Sequence, residues 1–266
     1  MKILSAAQIR EADAYTIANE PVRSIDLMER AASACFEWII NHFDKSFTFR
    51  IFCGVGNNGG DGLAMARKFF ESGYDIEVFI VRFSEKCSDD FLINIERLRS
   101  LSGIKLYDLS EKNYSQATGT GNRKQIIIDA IFGSGLSRPV TGFVSELIKK
   151  INLNSATIIS IDIPSGLFCD DNSKNIRENI IKATYTLTFE LPKLSFLFPE
   201  NSDNAGDWKI IPIGLDKKFI SEVFCKKFFI TKKTAGGILK PRKKFTHKGN
   251  YGHAVLICGS HGKIGA

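Results

Sequence analysis

The sequence predicts an α/β protein, a three-layer sandwich around a mostly parallel sheet, with an incomplete second domain at the C-terminus. Three observations carry this. Six short apolar runs, at 49–53, 76–81, 126–132, 157–161, 185–189 and 209–213, are interleaved with helical patterns at 63–71, 89–101 and 143–151. Five glycines crowd into the nine positions 54–62, between the first run and a helix. Isolated polar groups stand just after several of the runs.

Each element has a local reason. Ser5-x-x-Gln8 is a capping box, starting a helix that runs to about Asn19 and is ended by Pro21. Ser24 can cap a second helix, in which Leu27, Ala31, Ala34 and Trp38 share one face. The segment 110–123 is polar and rich in Gly, Thr and Asn, as an exposed loop would be. Pro212 has no N–H to give a ladder, so the last run belongs at a sheet edge. After Gly214 the alternation stops. Residues 217–244 are rich in Lys and Phe, carry Gly236-Gly237 and Pro241, and contain a linker. Residues 253–259 read as one new strand, and 259–266 as the glycine loop of a second βα unit. One strand and one loop cannot form a core, so either they begin a second domain or this tail packs on the first as a last strand of its sheet. The division expected is a first domain over 1–224, with a linker and the start of a second domain over 225–266. Removal of 241–266 is expected to spare the first.

Composition sets the bounds. The chain has 266 residues, 44% hydrophobic and 24% charged, with formal charge +7. That suits a globular protein with an anionic small ligand, or simply a lysine-rich surface. No basic stripe with interleaved aromatics argues for nucleic acid. No apolar stretch reaches the ~18 residues of a membrane span. Six scattered cysteines form no C-x-x-C, and the four histidines do not join them at zinc spacing. Reduced thiols in a cytoplasmic protein are the simplest reading.

The segment Gly54-Val55-Gly56-Asn57-Asn58-Gly59-Gly60-Asp61-Gly62 reads as a ligand loop. Glycine allows positive φ and close approach of backbone N–H groups to an anion at a helix N-terminus. Gly54-x-Gly56-x-x-Gly59 matches the dinucleotide fingerprint of Rossmann-like folds, a weak match by itself. No acidic residue ends the second strand; Arg82 stands there, where it could suit a 2′-phosphate or be a plain surface charge. The fingerprint leaves Asn57, Asn58 and Asp61 unexplained. They suggest oxygen ligands for a cation, or hydrogen bonds to a hydroxylated ligand.

In an open α/β sheet, ligands sit beyond the carboxyl ends of the strands. There the sequence places Asp129, then Gly133-Ser134-Gly135-Leu136-Ser137-Arg138-Pro139; Asp162, then Ser165; and Glu190 with Lys193. An Asp after a strand is often only the N-cap of the next helix. Four such groups at one edge argue for a site. Two carboxylates and a lysine there could move protons, and a part-buried carboxyl has a raised pKa unless a lysine opposes it. Oxygens from Asn58, Asp129 and Ser165 suit a hard cation better than zinc or copper.

The Gly54–Gly62 segment, Asp129-Ala130-Ile131-Phe132-Gly133-Ser134-Gly135-Leu136, Asp162-Ile163-Pro164-Ser165-Gly166, Phe189-x-x-Pro192-Lys193 and Leu27-Met28-Glu29-Arg30-Ala31-Ala32 together resemble the NAD(P)H-hydrate epimerases over residues 1 to about 215. The resemblance implies epimerisation of the R and S forms of hydrated NADH and NADPH, a repair step in which the damaged nucleotide is the substrate and no redox cofactor is needed. It implies substrate contacts from Asn57, Asn58, Gly59, Gly60, Asp61, Gly133, Ser134, Gly135, Leu136, Ser137, Arg138, Pro139 and Asp162. It also implies a potassium ion held by Asn58, Asp129 and Ser165. Inversion at a carbon bearing a hydroxyl and the ring nitrogen needs ring opening or loss of water, and hence an acid/base group. Asp162 is the first choice for it, with Lys193 as the second catalytic residue, tuning it or stabilising charge. Residues 247–260 resemble the start of an ADP-dependent NAD(P)H-hydrate dehydratase domain, ribokinase-like by that resemblance. Its nucleotide-binding and catalytic motifs are absent, so ADP or ATP would serve only that missing part. The partner expected is a small molecule, without nucleic acid or membrane, and the chain is expected to be a homo-oligomer. Two rivals share the pattern: an NADP-dependent oxidoreductase using Arg82, and a non-catalytic interaction module, which could dispense with the strand-end acids.

Overall fold

The computed structural model describes residues 1–118, 124–238 and 243–256. The chain divides into two compact units, Met1–Phe229 and Ile230–Ala266. In the first, α1 (Ala6–Asn19) and α2 (Ser24–Ile40) precede β1 (Thr48–Cys53), α3 (Asn57–Glu71), β2 (Asp75–Val81), α4 (Asp89–Arg99) and β3 (Lys105–Leu109). Then follow β4 (Gln125–Ala130), α5 (Phe143–Asn152), β5 (Thr157–Ile161), β6 (Tyr185–Phe189), the one-turn α6 (Ser202–Ala205), β7 (Asp207–Ile211) and α7 (Lys217–Glu222). The second unit holds α8 (Lys232–Ile238).

The seven strands form one parallel sheet in the order β3-β2-β1-β4-β5-β6-β7. Side chains alternate between its faces, as the period of a strand requires. One face presents Phe49, Ile51, Val78, Ile80, Ile126, Ile128 and Ile159 to α2, α3 and α4. The other presents Phe52, Phe79, Ile127 and Ile158 chiefly to α5. The β7 strand is an edge, as Pro212 requires, and Pro212 stands just beyond it.

Several expectations change. The capping box at Ser5 forms. Ser24 does not cap α2; Arg23 holds that position without a side-chain bond, and the Ser24 hydroxyl donates to Asp90 at 2.5 Å. The β3 strand lies within no predicted run, because at this edge only Leu109 is buried and charged residues interrupt the apolar ones. A 3-10 turn, Tyr114–Thr118, forms in the expected loop, whose residues 119–123 lie outside the described ones. Residues 225–229, assigned above to the linker, are held by the N-terminus: Ile3 N–H donates to Lys227 O at 3.0 Å and Phe229 N–H to Met1 O at 2.8 Å. The strand expected over 253–259 makes no ladder in its described part, 253–256, where Val255 and Leu256 are exposed. The glycine loop expected at 259–266 lies outside the described residues.

The largest correction concerns the glycine segment. It is not a loop throughout: α3 begins at Asn57, with Gly56 as N-cap. None of its glycines has positive φ. They are there for close packing. A Cβ on Gly59 would lie 1.8 Å from Gly54 O, and one on Gly54 2.0 Å from Ile131 O. A Cβ on Gly62 would press on Ala130 and Cys53. Only Gly56 faces open space. Gly59→Ala should therefore cost at least ~1–3 kcal/mol by overpacking. Gly56→Ala meets no clash and should cost only the ~1 kcal/mol by which Ala is the poorer N-cap, less than Gly59→Ala. Urea denaturation of both variants checks this, and equal midpoints would contradict the packing argument.

Candidate active site

The N-terminus of α3 packs on the ends of β1 and β4, and the ends of β4, β5 and β6 are joined at Asp162. The α3 helix places its first N–H groups here, since the intrahelical ladder starts only with Gly60 N–H to Gly56 O at 3.0 Å. Asn57 is exposed, whereas Asn58, Gly59, Gly60 and Asp61 are buried. Asn58 Nδ2 donates to Phe132 O at 3.0 Å, which ties α3 to the chain leaving β4. Its Oδ1 is buried with no hydrogen-bond partner.

Asp129 is fully buried one residue before the end of β4. Four donors hold it: Ser165 Oγ at 2.5 Å, Ser165 N–H at 2.8 Å, Ser160 Oγ at 2.8 Å and Ile131 N–H at 3.3 Å. Burial pushes its pKa up despite these bonds. Four donors match the lone-pair capacity of a carboxylate, so Asp129 orients Ser165. Ser165 Oγ in turn accepts from Phe132 N–H at 2.8 Å. Neither Asp129 nor Asp162 caps a helix. Gly142 is the N-cap of α5.

Asp162 directly follows β5 with φ of 65°, a left-handed conformation that Asp tolerates better than most residues. Its carboxylate accepts from Lys193 Nζ at 2.8 Å, Ser134 N–H at 3.2 Å and Phe189 N–H at 3.3 Å. Lys193 is 0% exposed, and its Nζ also meets Phe189 O at 3.2 Å and Leu191 O at 3.4 Å. Three N–H donors thus have three acceptors. Burial alone would raise the pKa of Asp162, but Lys193 and the hydrogen bonds win and hold it below the usual carboxylate range. The lysine, not desolvation, decides the resting charge.

Two further carboxyls have the opposite character. Asp61 is 7% exposed, and no hydrogen bond reaches its carboxyl among the described residues. Burial, then the charges of Asp162, Asp13 and Asp90, push its pKa well above the ordinary range. Asp13 on α1 is pushed up to about 6 by burial and by Asp162, with Lys193 opposing. No motif marked Asp13. The available signal was only a carboxyl between Ala12 and Thr16, both buried, on a helix without a marked apolar face.

Gly135, Leu136, Ser137, Arg138 and Pro139 line a cavity of about 550 Å³ with Phe83 and Phe132, whose ring centroids are 4.7 Å apart. Gly133 packs on Asn58 and Ser134 bonds Asp162, so the 133–139 segment joins this cavity to the strand ends. A larger cavity, about 640 Å³, lies over the middle of the sheet by Arg50, Glu77 and Tyr107. It holds none of the strand-end groups, so volume alone does not locate the chemistry. Glu190 belongs to the fold: its Oε2 accepts from Ile213, Gly214 and Leu215 N–H groups at 2.8, 2.9 and 3.3 Å. Arg82 is engaged by Asp108 at 2.7 Å.

The sequence matches the family described as YjeF-related protein N-terminus over residues 24–195. This chain belongs to that family. An NAD(P)H-hydrate epimerase of Anaerococcus prevotii is 38% identical over 230 residues, covering 84% of this chain and 100% of that protein. The bifunctional NAD(P)H-hydrate repair enzyme Nnr of Moorella thermoacetica is 31% identical over 269 residues, covering all of this chain but 50% of that protein. The chain therefore spans about half the length of these bifunctional relatives. The crystal structure of yeast ynu0 superposes with a TM-score of 0.67 at 23% identity, covering 88% of this chain and 98% of that one, a likeness of fold.

Asp13 carries a prediction of its own. Its folded pKa of about 6 exceeds the 3.8 of an ordinary aspartate. The stability it contributes is present below the lower value and lost as pH rises through the upper one. Asp13→Asn should gain in melting temperature relative to the parent between about pH 4 and pH 7. A difference that is flat across that range would contradict the burial of Asp13.

Proposed function

We propose that this chain interconverts the R and S epimers of hydrated NADH and NADPH. One observation carries the reading. A carboxylate held ionised by a buried lysine bonds the Ser134 N–H beside the 133–139 cavity and lies within electrostatic reach of Asp61 on α3. The helix N-terminus suits a diphosphate. The 133–139 segment suits the remainder of the nucleotide. Asp162 supplies the base that removes a proton from the hydrate, and Lys193 keeps that carboxylate charged between turnovers. The names of relatives aligned over their whole length support the same activity. The oxidoreductase reading loses its anchor for a 2′-phosphate, because Arg82 is paired with Asp108. By the resemblance of residues 247–260, a longer protein containing this chain would also dehydrate the S epimer.

The residues also fit a monovalent cation. Asn58 Oδ1 is a buried oxygen without a donor, and the Phe132 backbone that Asn58 Nδ2 bonds also bonds Ser165 Oγ, which Asp129 holds. Such hard oxygens suit potassium, with Asn58 and Ser165 offering oxygens and Asp129 balancing the charge. A cation there would supply positive charge beside a bound diphosphate.

Two measurements check this reading. Asp162→Asn should equilibrate the epimers of NADPH hydrate ~10²–10⁴-fold more slowly than the parent, followed by chromatography. Parental speed in that variant would remove Asp162 from its role. Potassium should raise the melting temperature above that in tetramethylammonium at matched ionic strength, and Asn58→Ala or Asp129→Ala should abolish the difference. Equal midpoints in the two salts for the parent would count against the cation.

A further inference from the structure

Asp13 is a part-buried carboxyl that the fold does not use. Among the described residues it forms no hydrogen bond and no ion pair. Its neighbours on α1 do have structural partners. Ala6 and Ile9 pack on the cluster of Ile163, Leu167 and Cys169, the stretch that directly follows Asp162. Ala12 joins the main core, and the Thr16 hydroxyl accepts from Asp216 N–H at 2.9 Å. Asp13 lies one turn beyond Ile9 and three residues before Thr16, so it shares the face that covers these loops. The charges of Asp162 and Lys193 reach it, and its own charge reaches Asp61. Carboxyls from α1, α3 and the end of β5 thus act on one another, and Lys193 bonds only that of Asp162.

We propose that Asp13 is the second proton-carrying group of this site and works with Asp162 as an acid–base pair. The proposal rests on the epimerase reading. Both chemical routes to inversion need two proton transfers of opposite sense. In ring opening, the hydroxyl loses its proton while the carbon–nitrogen bond breaks. An aldehyde forms, the bonding pair goes to nitrogen, and nitrogen takes a proton; closure on the other face reverses these steps. In dehydration, the hydroxyl takes a proton and leaves as water while the nitrogen lone pair forms an iminium. Water then adds to the other face and releases a proton. Each route takes up one proton and returns one, so a group that is ionised at rest needs a protonated counterpart.

The environments assign the roles. Lys193 keeps Asp162 ionised, which makes it the base. Asp13 has no such cation bonded to it, and at about 6 its pKa lies where a carboxyl gains and loses its proton near neutral pH. The other groups facing this space are less suited. The pKa of Asp61 is pushed well above the ordinary range by burial and then by Asp162, Asp13 and Asp90, so it gives up a proton less readily. The Cys35 and Cys53 thiols are pushed up by burial and stay neutral. Asp90 acts on Asp61 from α4, where it accepts from Ser24. Asp13 is also less buried than Asp61, so it can exchange its proton with solvent.

The test is the pH profile of epimer interconversion from pH 5 to 8 for the parent, Asp13→Asn and Asp13→Glu. The parent rate should fall as pH rises through about 6. Asp13→Asn should lose that limb and turn over ~10²-fold more slowly, and Asp13→Glu should restore the limb. An Asn variant with the parental rate and profile overturns the proposal. A second readout does not depend on activity: carbon-13 NMR titration of the Asp13 carboxyl. Its midpoint should fall in Asp162→Asn, where the neighbouring negative charge is gone. An unmoved midpoint means the two carboxyls are not coupled, and the proposal fails. A parent that equilibrates no epimers refutes the epimerase reading itself, and the catalytic role of Asp13 falls with it.

Discussion

The closeness of the α3 backbone to the sheet is the constraint on which the rest of the site depends. Gly59 leaves no room for a side chain against the Gly54 carbonyl, and Gly62 none against Cys53 and Ala130. With both sites empty of side chains, the first turn of α3 sits directly on the ends of β1 and β4. Only from there can Asn58 reach Phe132 O and stand beside Gly133. That bond fixes the chain after β4, which supplies Ser134 to Asp162 and the lining of the neighbouring cavity. Packing and ligand geometry thus come from the same glycines.

Electrostatics then separates carboxyls that share one region. Burial alone would protonate all four strand-end and helix-end acids. Asp162 escapes because a buried lysine bonds it directly. Asp129 has four donors, yet burial still raises its pKa. Asp61 and Asp13 have no donors among the described residues and hold their protons more tightly. One fold therefore presents acid and base forms of the same functional group close together. What separates Asp162 from Asp129 is the charge of its donor: neutral donors at shorter distances do not lower the pKa of Asp129, and the lysine does lower that of Asp162.

Much of this was legible in the residues. The apolar runs located six of the seven strands, and the Asp129, Asp162 and Lys193 positions followed from their places after those runs. The β3 strand was not legible, because an edge strand with one buried residue carries no continuous apolar signal. The start of α3 was misread, because glycine-rich segments usually signal loops. Asp13 was invisible for a different reason. Its meaning comes from α1 lying over the loops after β5 and β6, a contact between segments about 150 residues apart that no local pattern encodes. Glu190 shows the converse: its place after a strand is like that of Asp162, but its carboxylate caps the backbone after β7.

The sequence by itself determined the layered parallel sheet and the edge at which the polar residues of the candidate site gather. Strand period, helix period and glycine content are local properties, and they act whatever the neighbours are. Tertiary structure decided which glycines serve packing and which carboxyls are charged. It also decided which polar atom, Asn58 Oδ1, is left without a donor. Those depend on burial and on partners far away in the chain. Desolvation and Coulomb energy are set by distance in space, and only the folded chain defines that distance.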